Sequence, residues 1–374
     1  MYDAIVVGAR CAGSPTAMLL ARQGHRVLLV DRDTFPSDIM STHYIQPPGV
    51  AQLEKWGLLN RVLAAGTPAI EKLTFHLGPA SFKPPKLPGA PDLPAYCPRR
   101  TVLDKILVDA AVEAGAEMRE GFSVQELTFE GDTVTGIRGR SGGAEFAEQA
   151  KIVVGADGMH SRVARAVDAP KYNERPAYSC AYYNYWSGIG VEDADIYMGE
   201  SGGVLSFPTN DGLTCIAVGT EAAKFGEFRS DIEGNYMKWL AEAAPDFAAI
   251  VRKGKPEERW IGTADTANFF RKPYGPGWAL VGDAGYHKDP VTGLGIMDSF
   301  RDAELLADAI DDGLSGRALL EEALAGYQQK RDEAATPMYE FTCALASGAP
   351  PEDFLQFVAA NREAMEKQAA QAAG

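Results

Sequence analysis

The stretch that most constrains the fold of this chain is residues 1–30, where apolar runs alternate with a glycine turn. An apolar strand from Ala4 to Val7 enters the turn, a helix follows from about Pro15 to Gln23, and a second strand covers Arg26 to Val30. This order predicts a βαβ unit, in which the two strands are parallel members of one sheet. The chain is therefore predicted to begin an α/β fold.

The turn in this unit has most features of a phosphate-binding turn. Gly8, Arg10 and Gly13 occupy the three glycine positions of a dinucleotide-binding fingerprint, and Asp31 ends the second strand. Gly8 allows the tight turn, Gly13 allows close packing of helix on strand, and the helix N-terminus offers N–H groups to a pyrophosphate. Asp31 can accept hydrogen bonds from ribose hydroxyls. Arg10 either adds positive charge beside the pyrophosphate or projects toward the rest of the ligand, and the turn alone leaves another kind of α/β protein open.

Two later motifs also place glycines and carboxylates after apolar strands. GADGMHSR has Asp157 and Gly158 just past a strand. GDAGYHKDPVTGLGIMDSFRDA has Asp283 seven residues before Pro290, and a strongly periodic helix begins near Gly295. The second of these motifs is the more specific signal.

The combination resembles the FAD-dependent aromatic hydroxylases, the single-component group A flavoprotein monooxygenases, which are related to geranylgeranyl reductases and flavin halogenases. The resemblance covers about residues 3–312. It implies an α/β fold with an FAD-binding Rossmann-like (GR2-type) lobe, an inserted, mostly antiparallel β-sheet substrate lobe and a helical C-terminal tail. It also implies non-covalent FAD, with NAD(P)H or a partner reductase as the electron donor.

The resemblance also implies roles for single residues. Asp283 would contact the ribityl chain, and the turn from Pro290 to Gly295 would abut the isoalloxazine ring. Arg100 matches an arginine that reaches the cofactor, and Asp157 lies in an Asp-Gly motif assigned to the cofactor and NAD(P)H. A helix beginning near Gly295 would favour the anionic reduced flavin by about 0.3 to 2 kcal/mol. The predicted cofactor-binding residues are Gly8, Arg10, Cys11, Ala12, Gly13, Asp31, Arg32, Arg100, Asp157, Gly158, Gly282, Asp283, Pro290, Gly293, Leu294 and Gly295.

The predicted lobes are discontinuous in sequence. The pattern from about Tyr178 to Trp260 is mostly strand and turn, as in an inserted sheet. Seven prolines between Pro79 and Pro98 predict an irregular segment, which either frames the pocket entrance or is a rigid surface connection. The expected assignment is an FAD-binding lobe of residues 1–75, 98–170 and 275–315, a substrate lobe of residues 76–97 and 171–274, and a helical cover of residues 316–374.

Three side chains are candidates for proton transfer near the flavin. Where the family has histidine after Gly-Asp-Ala-Ala, this chain has Gly285 and Tyr286, with His287 one place later. Tyr286 and His287 are therefore predicted at the flavin rim as a hydrogen-bond donor or an acid/base, with ordinary packing as the alternative. His43 and its neighbour Tyr44, in the loop after the second strand, are predicted at the pocket.

Aromatic strand residues are predicted to form the substrate pocket. Alternation places Tyr182 and Trp186 on one face of a strand and Tyr183 and Tyr185 on the other, and we expect the first pair to face the substrate. Simple packing is the alternative for all four. The predicted pocket residues are Tyr44, Tyr182, Trp186, Phe207 and Pro208.

Three flavin reactions compete: oxygenation, reduction of an alkene and halogenation. The halogenase element Trp-x-Trp-x-Ile-Pro and the prenyl-reductase element Tyr-x-Trp-x-Phe-Pro, aligned on Pro208, leave Gly203 and Leu205 at the aromatic positions. By elimination, the chain is predicted to be an NAD(P)H-driven monooxygenase. It would hydroxylate or epoxidise a small aromatic or polycyclic molecule with oxygen, through a flavin C4a-hydroperoxide. An FAD-dependent reductase of the geranylgeranyl type acting on a C=C bond, and a non-catalytic FAD-binding protein, stay open.

Composition excludes several other classes of protein. A formal net charge of −15 argues against a general basic surface for nucleic acid or an anionic membrane. No apolar stretch approaches the roughly 20 residues of a membrane span, and the start of the chain lacks a leader pattern, so a cytoplasmic location is predicted. Five scattered cysteines indicate reduced thiols and no metal site. A monomer or a homodimer is expected.

Overall fold

The computed structural model describes residues 1–83, 91–200 and 202–348. Within them the helices are α1 (Gly13–Arg22), α2 (Pro47–Lys55), α3 (Leu59–Ala64), α4 (Arg100–Glu113), α5 (Arg162–Ala166), α6 (Phe225–Ser230), α7 (Ile232–Ala243), α8 (Pro245–Val251), α9 (Gly295–Leu314) and α10 (Leu320–Ala346). The strands are β1 (Tyr2–Val7), β2 (Val27–Val30), β3 (Ala69–Ile70), β4 (Leu73–Leu77), β5 (Ala80–Phe82), β6 (Ala95–Tyr96), β7 (Glu117–Arg119), β8 (Ser123–Glu130), β9 (Thr133–Ser141), β10 (Ala144–Gly155), β11 (Lys171–Arg175), β12 (Ser179–Ser187), β13 (Ala194–Gly199), β14 (Gly202–Pro208), β15 (Thr214–Glu221), β16 (Lys255–Pro256), β17 (Ile261–Thr263), β18 (Asn268–Arg271), β19 (Tyr274–Gly275), β20 (Trp278–Leu280) and β21 (Tyr286–His287).

The first sheet has the strand order β19-β20-β10-β1-β2-β7, with β8 and β9 branching from β10. Strand β1 pairs in parallel with both β2 and β10, and β10 pairs in parallel with β20. These strands are apolar runs because both faces of a parallel sheet are buried. Helix α1 connects β1 to β2, so the predicted βαβ unit is confirmed. All three sequence motifs follow strands of this sheet, and the parallel arrangement brings their carboxyl ends to one edge.

The second sheet has the strand order β16-β12-β15-β14-β13-β4-β5, with β17 also paired to β12. Its pairs are antiparallel except β13 with β4. The predicted lobe boundary after residue 75 falls inside β4, which pairs with β13 from Leu73 to Leu77. The second sheet therefore begins at Leu73, three residues before the predicted lobe.

Helices α6, α7 and α8 pack on one face of the second sheet, although the sequence interpretation gave mostly strands and turns as far as Trp260. Tyr236, Trp239 and Leu240 are buried on α7 at helical spacing, three and four residues apart. They form one apolar cluster with the sheet residues Tyr182 and Trp186. The strand prediction is therefore wrong over Phe225–Val251, where this apolar spacing favours helix.

The C-terminal helices complete the fold. Helix α9 packs against α1 and α10, and the three-stranded sheet β11-β18-β21 lies beside α10. Arg331 of α10 is fully buried and donates hydrogen bonds to the carbonyl oxygens of Gly285 and Arg271 at 3.2 and 3.1 Å. Residues 349–374 of the predicted helical cover and residues 84–90 of the proline segment lie outside the described residues. Among the helices that are described, none has the length and apolar character to cross a membrane.

Candidate functional site

One cavity of about 2440 Å³ extends from the carboxyl edge of the first sheet to the second sheet and α10. Pockets for a single small molecule are usually about 300 to 1,000 Å³, so this cavity has room for a nucleotide cofactor and a second molecule. Every predicted cofactor-binding residue except Gly13 lines it.

The three sequence motifs meet at one end of this cavity. Gly8 has φ +105°, and an added Cβ would lie 2.3 Å from the carbonyl oxygen of Ala156 in the second motif. Gly282 of the third motif has φ +60°, and an added Cβ would lie 2.6 Å from Ala12 Cβ. Gly13 packs α1 against the first turn instead of lining the cavity. The motifs therefore form one continuous surface, which we call the three-motif cradle.

The cradle offers groups that suit a dinucleotide. Ala12, the residue before α1, and the first residues of α9 line the cavity, and neither helix receives a side-chain cap from the described residues. Such helix ends attract phosphates and other anions. Buried Asp31 and exposed Asp283 supply carboxylate acceptors along the cradle, and Arg32 is exposed at its rim. These residues fit FAD.

Asp31 and Asp157 also stabilise the loops in which they lie. Asp31 accepts the N–H of Ala9 at 2.6 Å and that of Asp33 at 2.9 Å. Burial raises the pKa of Asp31, which these N–H groups oppose. Asp157 accepts the Ser161 hydroxyl at 2.5 Å and thereby fixes the start of α5. Both carboxylates therefore shape the loops that would carry the cofactor.

Arg10 lines the cavity and also pairs with two carboxylates. Its guanidinium donates to Asp104 at 2.6 Å and to Asp33 at 2.9 Å. Asp104 is fully buried and also accepts hydrogen bonds from Arg100 at 2.9 and 3.0 Å. The Cys11 thiol lies 3.5 Å from the same carboxylate, and burial raises its pKa to about 12. Arg10 and Arg100 therefore reach the cavity as one neutralised, rigid cluster around Asp104.

The turn after Asp283 is fixed by Asp289. Its carboxylate accepts the Ser179 hydroxyl at 2.7 Å and the Val291 N–H at 3.1 Å. Ser179 begins β12, so this contact joins the turn to the second sheet. Gly293 has φ +64°, and an added Cβ would lie 3.7 Å from Tyr44 Cβ. Tyr44 therefore lies between the turn and the second sheet, at the predicted pocket.

A buried ionic network behind the turn was not predicted. The Lys288 ammonium donates to the Tyr286 hydroxyl at 2.9 Å and to Asp298. Arg301 donates to Asp298 at 2.9 Å. Burial opposes ionisation of Asp298, but the Lys288 and Arg301 charges hold its pKa below the usual range. The i, i+3 spacing of Asp298 and Arg301 was the signal available in the sequence.

The two candidates after Gly285 both line the cavity. Burial raises the pKa of Tyr286 well above its usual value, so its hydroxyl remains protonated and can donate but not act as a base. His287 Nδ1 lies 2.6 Å from the Ala267 carbonyl oxygen, and its ring stacks on Phe269. One ring nitrogen of His287 is thus committed to the backbone.

The structure removes His43 from the predicted catalytic residues, because its side chain does not line the cavity. The ring is fully buried, and its Nε2 shares a 2.7 Å hydrogen bond with the Tyr185 hydroxyl. Burial, with the nearby charges of Arg100 and Arg99, lowers its pKa to about 3. His43 is therefore a neutral packing residue.

This environment predicts an acid-sensitive contribution to stability. The pKa of His43 is 6.5 in the unfolded chain and about 3 in the folded protein. Its contribution is therefore present above pH 6.5 and is lost as the pH falls toward about 3, by up to about 1.4 kcal/mol per pH unit. His43→Asn keeps a residue type that tolerates the local φ of +61°. Urea unfolding across this pH range should show a smaller loss of stability for His43→Asn, and parallel curves for both proteins would contradict the assignment.

The aromatic pocket uses the opposite strand face from the one predicted. Tyr182 and Trp186 pack against α6 and α7 and do not line the cavity, because those helices cover their side of the sheet. Tyr183 lines the cavity, as do the predicted residues Tyr44 and Phe207. The predicted pocket residue Pro208 ends β14 outside the lining.

The chain is similar to several known flavoproteins. The family model described as FAD binding domain matches residues 1–342. Among curated proteins, a digeranylgeranylglycerophospholipid reductase from Methanocella arvoryzae is 27% identical over 340 residues, which cover 89% of this chain and 83% of the relative.

Solved structures share the fold at lower identity. The myxobacterial chondrochloren halogenase CndH has a TM-score of 0.83 and 21% identity, covering 100% of this chain and 96% of that one. PqsL from Pseudomonas aeruginosa, described as a probable FAD-dependent monooxygenase, has a TM-score of 0.79 and 23% identity, covering 96% of this chain and 99% of that one. The predicted α/β fold, with its FAD-binding Rossmann-type sheet and C-terminal helices, is confirmed.

Proposed function

This chain belongs to the FAD binding domain family of FAD-dependent oxidoreductases, and from that premise we propose that it is an NAD(P)H-driven monooxygenase. The observation that carries the proposal is the continuity of the three-motif cradle with an apolar space between Tyr44, Tyr183 and Phe207. That space can enclose an organic substrate beside the turn from Pro290 to Gly295. The similarity in fold to PqsL supports the same reaction class.

The residues of the cradle would hold FAD through different groups. The N-terminus of α1 would face the pyrophosphate, Asp31 the ribose, Asp283 the ribityl chain, and the N-terminus of α9 the flavin ring. When bound, FAD supplies the redox chemistry that uses NAD(P)H electrons and molecular oxygen. The described part of the chain has no separate nicotinamide-binding fold, so NAD(P)H would bind transiently within this cavity.

The protein itself would contribute an enclosed space for the substrate and fixed charges near the flavin. Tyr44, Tyr183 and Phe207 exclude water from the substrate side of the cavity, which protects reactive species from side reactions. The Tyr286 hydroxyl remains protonated and can donate a hydrogen bond, and the Lys288 ammonium holds it in place at 2.9 Å. Orientation of the substrate by this wall decides which carbon reacts.

A specific observation supports a second function. The similarity to digeranylgeranylglycerophospholipid reductase extends over most of both chains, so reduction of a C=C bond is the alternative. The two reactions differ in their need for oxygen. A monooxygenase gives a product heavier by one oxygen atom only in air, whereas a reductase gives a product heavier by two hydrogen atoms under nitrogen.

The decisive experiment begins with the visible spectrum of the purified protein, which should show bound flavin. NAD(P)H oxidation is then followed with an oxygen electrode, while mass spectrometry identifies products formed in air and under nitrogen. Oxygen uptake coupled to an oxygenated product supports the proposal. A saturated product under nitrogen identifies the reductase, and flavin that no nicotinamide or reductase can reduce indicates FAD binding alone.

Removing one acceptor from the cradle should weaken the cofactor's retention. Asp283→Ala is expected to raise the FAD dissociation constant about 5- to 150-fold, since one hydrogen bond to a charged group contributes about 1 to 3 kcal/mol. The constant is measured by flavin fluorescence during titration of the apoprotein. Glu200→Ala is the control, because Glu200 is another exposed carboxylate in the same cavity but belongs to the second-sheet end. Equal constants for the two variants would contradict the role of Asp283.

A further inference from the structure

The second sheet carries an apolar row that crosses six adjacent strands. Register pairs Tyr183 with Ala217, Ala217 with Leu205, Leu205 with Ile196, Ile196 with Phe75, and Phe75 with Phe82. All six side chains line the cavity. Directly paired residues of neighbouring strands lie on the same face, so these six form one continuous apolar band.

A trough runs beside this band. The next row along the same face consists of Ala181, Gly219, Gly203, Met198 and Leu77. Gly219 and Gly203 have no side chain, and Ala181 has only a methyl group, so the inner half of this row is shallower than the row of larger side chains beside it. The small residues therefore make room for a chain-like ligand along the band.

The band runs from the core to the surface. Tyr183 is 1% exposed, whereas Phe82 is 50% and Leu77 is 52% exposed. Five strand spacings of about 4.8 Å give the band a length of roughly 24 Å. An exposed apolar patch that continues a cavity is typical of a ligand-binding groove.

The charges along the second-sheet side of the cavity disfavour an anionic ligand. The cavity lining contributed by strands of the second sheet in the described part of the chain includes no arginine or lysine. Glu200 and Glu221 lie at its rim. A carboxylate placed at the buried inner end, beside Tyr183, would lose its hydration without gaining a cationic partner from these strands.

We propose that the site binds an elongated, uncharged apolar molecule, such as a long-chain alkyl or alkenyl alcohol, laid across the strands along this band. One end lies at Tyr183 and Tyr44, beside the Gly293 turn, and the other lies over Phe75 and Phe82. This inference rests on the proposed function only in assigning which end of the ligand reacts. The binding geometry does not depend on the reaction.

The test measures binding separately from turnover. Equilibrium dialysis of radiolabelled octanol, dodecanol and hexadecanol against the FAD-loaded protein should give affinity that rises with chain length, because each added methylene buries more apolar surface. The matching carboxylates should bind at least about ten-fold more weakly than the alcohols. Affinity that does not depend on chain length, or carboxylates that bind equally well, would overturn the proposal.

A matched pair of variants locates the ligand on the band. Phe82→Ser should weaken hexadecanol binding about ten-fold and leave octanol binding within about two-fold, because only the long chain reaches the outer end. Phe129→Ser is the control, since Phe129 is 48% exposed on β8 and does not line the cavity. Both phenylalanines are exposed, so folding should persist in each variant.

Equal hexadecanol affinity in these two variants would show that the outer patch serves something else, such as a protein partner. The outcomes separate this inference from the proposed function. Length-dependent binding without an oxygenated product would leave the band intact and reject the monooxygenase. An oxygenated product from short substrates, together with binding that does not depend on chain length, would support the monooxygenase and reject the band as the ligand site.

Discussion

Gly13→Ala is expected to yield a protein that has lost its flavin colour and at least about 3 kcal/mol of its unfolding free energy. The added Cβ would lie 1.7 Å from the carbonyl oxygen of Gly8 and 3.0 Å from Ala156 Cβ. The first of these is backbone of the phosphate turn, which cannot rotate away as a side chain could. Helix α1 would have to move off β1, and its N-terminus would leave the cradle.

The measurements are thermal unfolding of the apoprotein and the ratio of flavin to protein absorbance in the purified holoprotein. Gly326→Ala is the control, because Gly326 is in helix α10 and an added Cβ would meet nothing within 4 Å. That variant should gain about 0.5 to 1 kcal/mol. A Gly13→Ala protein that unfolds like the wild type and retains its flavin would show that the close approach in the turn is not required.

Asp104→Ala is expected to cost about 3 to 5 kcal/mol of unfolding free energy, the usual effect of removing one partner from a buried ion pair. Asp104 is fully buried and accepts hydrogen bonds from both Arg10 and Arg100. Burial opposes the charge on Arg100, and the Asp104 carboxylate holds the pKa of that guanidinium above its usual range. Without Asp104, the buried Arg100 charge loses its main partner.

Urea unfolding checks this expectation, with Asp109→Ala as the control on the same helix. Asp109 pairs with Lys105 in an exposed i, i+4 contact, and such pairs contribute about 0.3 to 0.5 kcal/mol. FAD affinity should also fall in Asp104→Ala, because Arg10 and Arg100 line the cavity. An Asp104→Ala protein no less stable than Asp109→Ala would refute the clustered arrangement.

The sequence predicted the features that depend on local spacing. The βαβ unit, α9 and the three glycine motifs all have periodicity or turn chemistry within a short window, and parallel strands then bring the motif ends to one edge. The same local rules could have found α7, whose buried Tyr236, Trp239 and Leu240 follow helical spacing.

Features that depend on distant partners could not be predicted in this way. Strand alternation places Tyr182 and Tyr183 on opposite faces of the sheet. Which face lines the cavity is decided only by the position of α6 and α7. Arg10 meets Asp104, 94 residues away in the chain, and no local pattern encodes that contact. His43 adjoins the pocket in sequence, yet its ring turns into the core toward Tyr185.

The contact of Gly282 with Ala12 has a consequence for the protein's lifetime in a cell. The cradle exists only when segments from the beginning, the middle and the last third of the chain have come together, so FAD binds the folded chain and not the unfolded one. At free FAD 100-fold above its dissociation constant, this linkage adds about 2.7 kcal/mol to stability. Riboflavin starvation should therefore lower the abundance of this protein through proteolysis, before it limits the activity of the molecules that remain.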